Sequence, residues 1–201
     1  MLHAAAPVTP EQVSAVAGAI ARGFQDNEVW AWIIPSDSRR ARVLARYYEA
    51  MIRHVFLPRG SAWATADGQG GALWLPPGSP GLSAGEQLRE ALAMLGAGPG
   101  AWMRGSRSDA TLKRHHPTEP HYYLSTLSID PAHQRRGYGS ALLEPMLARI
   151  DAEAMPAFLE TQRESNIPFY RRFGFERTER IQIPGGPPLW LMWREGRGGA
   201  V

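Results

Sequence analysis

An α/β fold with a mixed, mostly antiparallel sheet is expected from three features of this 201-residue chain. An apolar, strand-like run at 121–129 passes through a Gly-rich turn straight into a helix-like run. Helical and strand-like periodicities alternate along the chain, and two pairs of segments read as hairpins. Strands joined through a crossover helix are parallel neighbours, whereas hairpin strands are antiparallel, so both kinds of pairing belong in one sheet. The length suits one well-buried core and is short for two, so residues 1–201 are read as a single domain.

In chain order, Thr9-Pro10-Glu11 reads as N-cap, N1 and N2 of a first helix, with apolar positions Val13, Val16, Ala17, Ile20 and Phe24 at helical spacing. A second helix starts near Ser38, carries Val43, Leu44, Tyr47, Tyr48, Met51, Ile52 and Val55, and stops at Pro58-Arg59-Gly60. The connection over 25–35 between them is unusually aromatic. Residues 61–66 and 72–76 flank Asp67-Gly68-Gln69-Gly70-Gly71 as a hairpin with a Gly-rich turn. Residues 83–95 repeat Leu88, Leu92, Met94 and Leu95 helically, and the segment 96–100 ends that helix. The strand at 121–129 ends at Pro131. After the turn, Leu143, Met146, Leu147 and Ile150 mark a buried helix face, and Pro145 within it predicts a kink near residue 141. A short buried strand at 157–161 follows. Asn166 is read as N-cap and Gly174 as C′ of a brief helix, and 176–183 with 189–194 make a final hairpin across Pro184-Gly185-Gly186-Pro187-Pro188.

Composition narrows the function classes. With 44% hydrophobic residues the chain has globular composition. Cysteine is absent, which excludes a disulfide framework, a thiolate nucleophile and a Cys-based zinc site, and fits a cytoplasmic setting. No stretch approaches the ~18 apolar residues of a membrane span, and Met1-Leu2-His3-Ala4-Ala5-Ala6 is not a signal-peptide start. The net charge of +3 is small, and the arginines of the C-terminal half are interrupted by acids, so no nucleic-acid partner is implied. His115 and His116 are adjacent and point apart, and no His pair at i, i+4 accompanies a carboxylate, so no metal is expected. The oligomeric state is open, a homodimer among its alternatives.

Gln134-Arg135-Arg136-Gly137-Tyr138-Gly139-Ser140 is the most informative stretch. Following a strand and opening a helix, its glycines let the backbone approach an anion, and its amides sit at the positive end of the helix dipole. Arg135 and Arg136 add charge. The spacing is neither GxGxxG nor a P-loop, which weakens dinucleotide and nucleoside-triphosphate readings. An ordinary strand-to-helix turn would use glycines as well.

Strand, Gln/Arg-x-x-Gly-x-Gly/Ala and helix together resemble the acyl-CoA site of the GCN5-related N-acetyltransferase (GNAT) superfamily. From His116 to Arg194 the order and spacing of 121–131, Ala157-Phe158-Leu159-Glu160-Thr161 and Asn166-Ile167-Pro168-Phe169-Tyr170 look like its puromycin N-acetyltransferase branch. The resemblance implies a central parallel strand pair splayed around acyl-CoA, and acetyl-CoA as co-substrate. It implies Leu127 and Ile129 as strand backbones for the pantetheine arm, and the segment 134–140 with Asn166 as further CoA contacts. The first strand usual in that superfamily could come only from 2–8, so it is expected to be short or absent.

Aminolysis of a thioester needs a neutral amine, support for an oxyanion and a proton for the departing thiolate. By resemblance Tyr170 is the general acid, with aromatic packing beside Phe169 and Phe173 as the structural alternative. Glu160, at the C-terminal end of a buried strand, is the leading base, against an ion pair with an arginine; His121, His133 or an ordered water are alternatives. Asp26, Glu28, Trp30 and Trp32 are the acceptor-facing candidates, although the tryptophans could simply seal a helix pair. The reading is an acetyl-CoA-dependent N-acetyltransferase acting on a small primary amine, of amino-nucleoside or antibiotic-like type. Its rivals are a CoA-binding regulatory module without turnover and a protein or peptide acetyltransferase.

Overall fold

The computed structural model describes residues 4–79 and 81–196. Seven strands form one sheet in the order β1-β2-β3-β4-β5-β7-β6, and every neighbouring pair is antiparallel except β4 with β5. The strands are β1 (Ala5–Pro7), β2 (Ala62–Thr65), β3 (Gly70–Leu75), β4 (Tyr122–Ile129), β5 (Ala157–Thr161), β6 (Arg177–Gln182) and β7 (Pro188–Arg194). The edge strand β1 is present but short, and the part of its expected range before residue 4 lies outside the described residues.

Among the described residues seven α-helices cover the two faces: α1 (Val13–Gly23), α2 (Glu28–Ile33), α3 (Asp37–Met51), α4 (Ala84–Ala93), α5 (Ala101–His115), α6 (Tyr138–Ala152) and α7 (Ile167–Arg171). On one face α1 and α3 bury Val16, Ile20, Leu44 and Tyr48 over Ala62, Ala64 and Leu73. Farther along the same face, α2 and α5 lie over Phe158, Leu191 and Trp193. On the other face α6 and α7 bury Leu142, Leu143, Met146, Ile150 and Tyr170 over Ala72, Trp74, Leu124 and Leu159. The alternation Ala72, Leu73, Trp74 sends neighbouring side chains to opposite cores, as a strand covered on both faces must.

Four local expectations need correction. First, α1 starts at Val13 rather than after Thr9: residues 9–12 form a turn in which the Thr9 amide donates to Gln12 Oε1 at 3.1 Å, so Gln12 takes the N-cap place. Second, the aromatic connection contains α2, whose N-cap Asn27 accepts from the amides of Val29 and Trp30. Third, α5 fills a stretch without an apolar stripe; only Ala101, Ser108 and Thr111 are buried on it. Fourth, Asn166 occupies the N-cap place of α7 without capping it, because its Nδ2 donates instead to Thr161 Oγ1 at 3.0 Å. Gly174, by contrast, closes α7 as expected: its φ is +86°, its amide returns to the Arg171 carbonyl and the Phe175 amide to the Tyr170 carbonyl. Helix α6 runs through Pro145 as one assigned helix. Helix α4 is capped by a reciprocal Ser83–Glu86 box, yet Leu88 and Leu92 along it and Leu95 just beyond it are exposed, as are Trp102 and Met103 on α5.

Buried Arg40 anchors both ends of α2. Its Nε donates to the Gln25 carbonyl at 2.7 Å, its Nη1 to the Ile34 carbonyl at 2.7 Å, and its Nη2 pairs with Asp37. Arg40→Ala strips two carbonyls of their partner, so a loss of about 3 kcal/mol of stability is expected, read as a lower denaturation midpoint.

Candidate active site

The strand-to-helix turn has the geometry of an anion nest. Asp130 starts it by accepting the Ala132 amide at 2.9 Å and pairing with Arg22. Burial pushes the Asp130 carboxyl up, but the Ala132 amide and the Arg22 guanidinium outweigh it and hold it below the usual range. Arg135 has φ +61° and Gly137 φ +88°, so alternate residues turn their amides toward one concavity. The amides of Arg135, Arg136, Gly137, Gly139 and Ser140 donate to no protein group among the described residues, and no side chain caps α6. Two braces hold the nest: the Tyr138 hydroxyl donates to Asp67 Oδ2 at 2.6 Å, and the Asp130 amide returns to the Gln69 carbonyl. Gln134 Nε2 donates to the Ile129 carbonyl at 3.1 Å, joining the turn to the end of β4. Arg135 and Arg136 are exposed.

One glycine serves a purpose the sequence reading missed. A Cβ on Gly139 would stand 3.2 Å from the Phe169 ring, so its missing side chain admits α7 against α6, and only its amide belongs to the nest.

Beside the nest the sheet opens. Strands β4 and β5 pair only through Tyr122↔Ala157, Tyr123↔Phe158 and Leu124↔Leu159. From Ser125 onward β4 keeps β3 on one side and leaves its other edge without a strand. The parting coincides with a β-bulge: Leu73 faces Thr126 and Trp74 faces Leu124, so Ser125 has no partner and is exposed within a central strand. The bulge slips the alternation by one residue. Leu124 and Leu127, three apart, both face α6, whereas Ser128 turns to the other face and donates to the Ile20 carbonyl.

The two proposed catalytic side chains approach this gap from opposite faces. Tyr170 lies in the α6 core with Leu159, its ring against Phe169 and Phe175, and burial pushes its phenol well up. Glu160 follows Leu159 and shares the face of Phe158, on the side of α5. Its side chain is 6% exposed, and its neighbour is His116 Nδ1 at 4.0 Å rather than an arginine. The His116 ring packs against His121, Tyr123 and Phe158 at centroid distances of 4.9, 5.0 and 5.2 Å. Burial, then the Glu160 carboxylate, pushes the Tyr123 phenol up, and burial pushes the His121 imidazole down. His115 points back along α5 to the Thr111 carbonyl, so the adjacent histidines do diverge. Ser125, Tyr123 and His116 are the site residues missed from sequence.

In the connection over 25–35, Trp30 packs on Tyr47 and Tyr48, and its indole N–H donates to the Tyr48 hydroxyl at 3.3 Å. Trp32 turns instead to the β6–β7 turn, where a Cβ on Gly186 would meet its ring at 3.1 Å. Asp26 and Glu28 are exposed, and the connection is tied over the end of β5 by Asn27 Nδ2 to Gln162 Oε1 at 3.1 Å and by Arg163 to the Asp26 carbonyl at 2.6 Å. Among the described residues no group of three His, Cys, Asp or Glu side chains is placed to hold a metal. No described helix is long and apolar enough to cross a membrane.

The nest thus lies beside an open strand edge. Residues 90–175 match the model of the acetyltransferase (GNAT) family. Over 96% of its length the chain is 23% identical to an uncharacterised N-acetyltransferase of Schizosaccharomyces pombe, covering 83% of that protein. The fold resembles a solved structure of histone acetyltransferase HPA2 and related acetyltransferase from Corynebacterium glutamicum, with a TM-score of 0.72 and 21% identity over the whole of both chains. It also resembles arylalkylamine N-acetyltransferase 2 from Aedes aegypti, with a TM-score of 0.57 and 13% identity over 96% of this chain and 98% of that one. A chain of the NatC complex, solved with a Gag peptide and CoA, aligns with a TM-score of 0.53 and 13% identity over 97% and 99%. The matched segment holds the nest, the strand gap and Tyr170, and the fold is the one these acetyltransferase structures share.

Proposed function

We propose that the protein transfers acetyl from acetyl-CoA to the primary amine of a small molecule, directly, with both substrates bound. The observation that carries this reading is the parting of β4 from β5 at Ser125 and Glu160, flanked by the nest on one side and by two faces bearing an acid and a base. In this reading the amides of residues 135–140 hold the pyrophosphate, the guanidinium groups of Arg135 and Arg136 add charge, and the free edge of β4 at Leu127 and Ile129 pairs with the pantetheine arm. Asn166, drawn to Thr161, sits beside the arm's path. Glu160 accepts a proton from the amine. The amine nitrogen left by that first deprotonation of the ammonium forms its bond to the thioester carbon as the C–S bond breaks, Tyr170 protonates the sulfur, and the second proton leaving the nitrogen restores the phenol.

The aromatic wall of Trp30, Tyr47, Tyr48 and Tyr123, with the connection tied down over β5, supports a compact acceptor over a chain lying in an open groove. The resemblance to the puromycin N-acetyltransferase branch adds an amino-nucleoside or antibiotic-like amine as the favoured type. Thiol release measured with acetyl-CoA and a panel comprising phenethylamine, spermidine, puromycin and a short peptide with a free N-terminus tests the reading. Turnover of at least one small amine well above the peptide is expected; turnover of the peptide alone would replace this reading with a peptide acetyltransferase, and turnover of none would leave a CoA-binding module.

A further inference from the structure

Acetylation of an ammonium releases one proton per turnover: the ammonium and acetyl-CoA become the amide, the free thiol and H⁺. If Glu160 collects that proton, it must pass it on before the next cycle, and a side chain only 6% exposed is poorly placed to do so alone. Among the described residues its ionisable neighbours include Tyr123, whose phenol the carboxylate helps push up, and His116, 36% exposed, with Nδ1 4.0 Å from Glu160 Oε1. His116 also lines an open cavity of about 500 Å³ with Glu119, His121 and Tyr123. Imidazole suits such a transfer because one nitrogen can take a proton while the other gives one up.

We propose that His116 is the proton exit of the acetyl-transfer site, taking the proton from Glu160 at Nδ1 and releasing it to solvent from Nε2 into that cavity. A separation of 4.0 Å exceeds a hydrogen bond, so one water or a small rotation completes the link. No bond other than N–H and O–H changes in the relay, and the imidazole returns to its starting form each cycle. The groups that face it are Glu160 and Phe158 from β5, Tyr123 from β4, and His121 just before β4. His121 is a poor second carrier: its Nδ1 is held by the Glu119 carbonyl at 2.6 Å, and burial disfavours its charged form. Tyr123, with its phenol pushed up, stays neutral and serves as a wall.

This inference rests on Glu160 as the base, and its test separates the two. With the best amine of the panel above, His116→Gln is expected to lower kcat about tenfold or more with unchanged acetyl-CoA affinity by calorimetry. Added imidazole, small enough to enter the cavity, should restore much of the loss in His116→Gln and none in Glu160→Gln. A His116→Gln variant with wild-type kcat, or with a loss that imidazole does not repair, would overturn the relay while leaving Glu160 as base. A Glu160→Gln variant with wild-type kcat would remove the base assignment itself.

Discussion

Tyr170→Phe is expected to lower kcat by ~10² or more with little change in acetyl-CoA affinity. The substitution keeps the ring that packs on Phe169 and Phe175 and removes only the proton. Burial pushes the phenol well up, so Tyr170 stays protonated across the working pH range and is ready to donate. The same burial makes it a weaker acid, which bears on how well it matches the leaving group. In the proposed reaction a thiolate protonated beside Tyr170 would share that desolvation and be a stronger base, so the two shifts act in the same direction. Steady-state kinetics in the folded variant decides it: a kcat within twofold of wild type would make Tyr170 a packing residue.

Glu160→Gln is expected to cost a comparable ~10² or more in kcat and to change the shape of the pH profile. A general base works only when deprotonated, so wild-type activity must fall in acid as that step is lost. Glutamine has the same size and hydrogen-bonding reach but no such step, so the acidic limb should disappear and the variant should run slowly throughout. The neighbour at 4.0 Å is a histidine and not an arginine, so no buried guanidinium is left unpaired, and thermal stability should change little. Retention of the acidic limb in a folded variant would pass the role to a water or another group.

The parts of this site that are local in sequence were legible in it. The nest declared itself because its glycines, its arginines and the switch from period 2 to period 3.6 all fall within a dozen residues. Strands β4 and β5, α6 and the final hairpin followed from periodicity. Helix α2 was missed because six residues with two tryptophans and a following proline read as a connection, although Asn27 before Glu28 was a usable N-cap signal. Helix α5 was missed because its buried positions, Ala101, Ser108 and Thr111, make no apolar stripe. With α5 unplaced, His116 had no position, and its meeting with Glu160, 44 positions further along the chain, is a product of the tertiary fold. The bulge left one trace, the three-residue step from Leu124 to Leu127 in an otherwise alternating strand. Gly139 shows the converse: a glycine read from the motif as space for an anion is space for Phe169.

Because of Phe169, a bulky residue at Gly139 would disturb α7 and Tyr170 along with any anion, so the nest is better probed at Ser140. There a carboxylate lies in the first turn of α6, where it favours the helix dipole yet opposes a pyrophosphate. Calorimetry of acetyl-CoA binding to wild type and Ser140→Glu is the most direct measurement of the central claim. The expected result is tight binding by the wild type and a loss of about tenfold or more in the variant at unchanged thermal stability. Equal affinity in a folded Ser140→Glu protein, or no binding by the wild type, would contradict it.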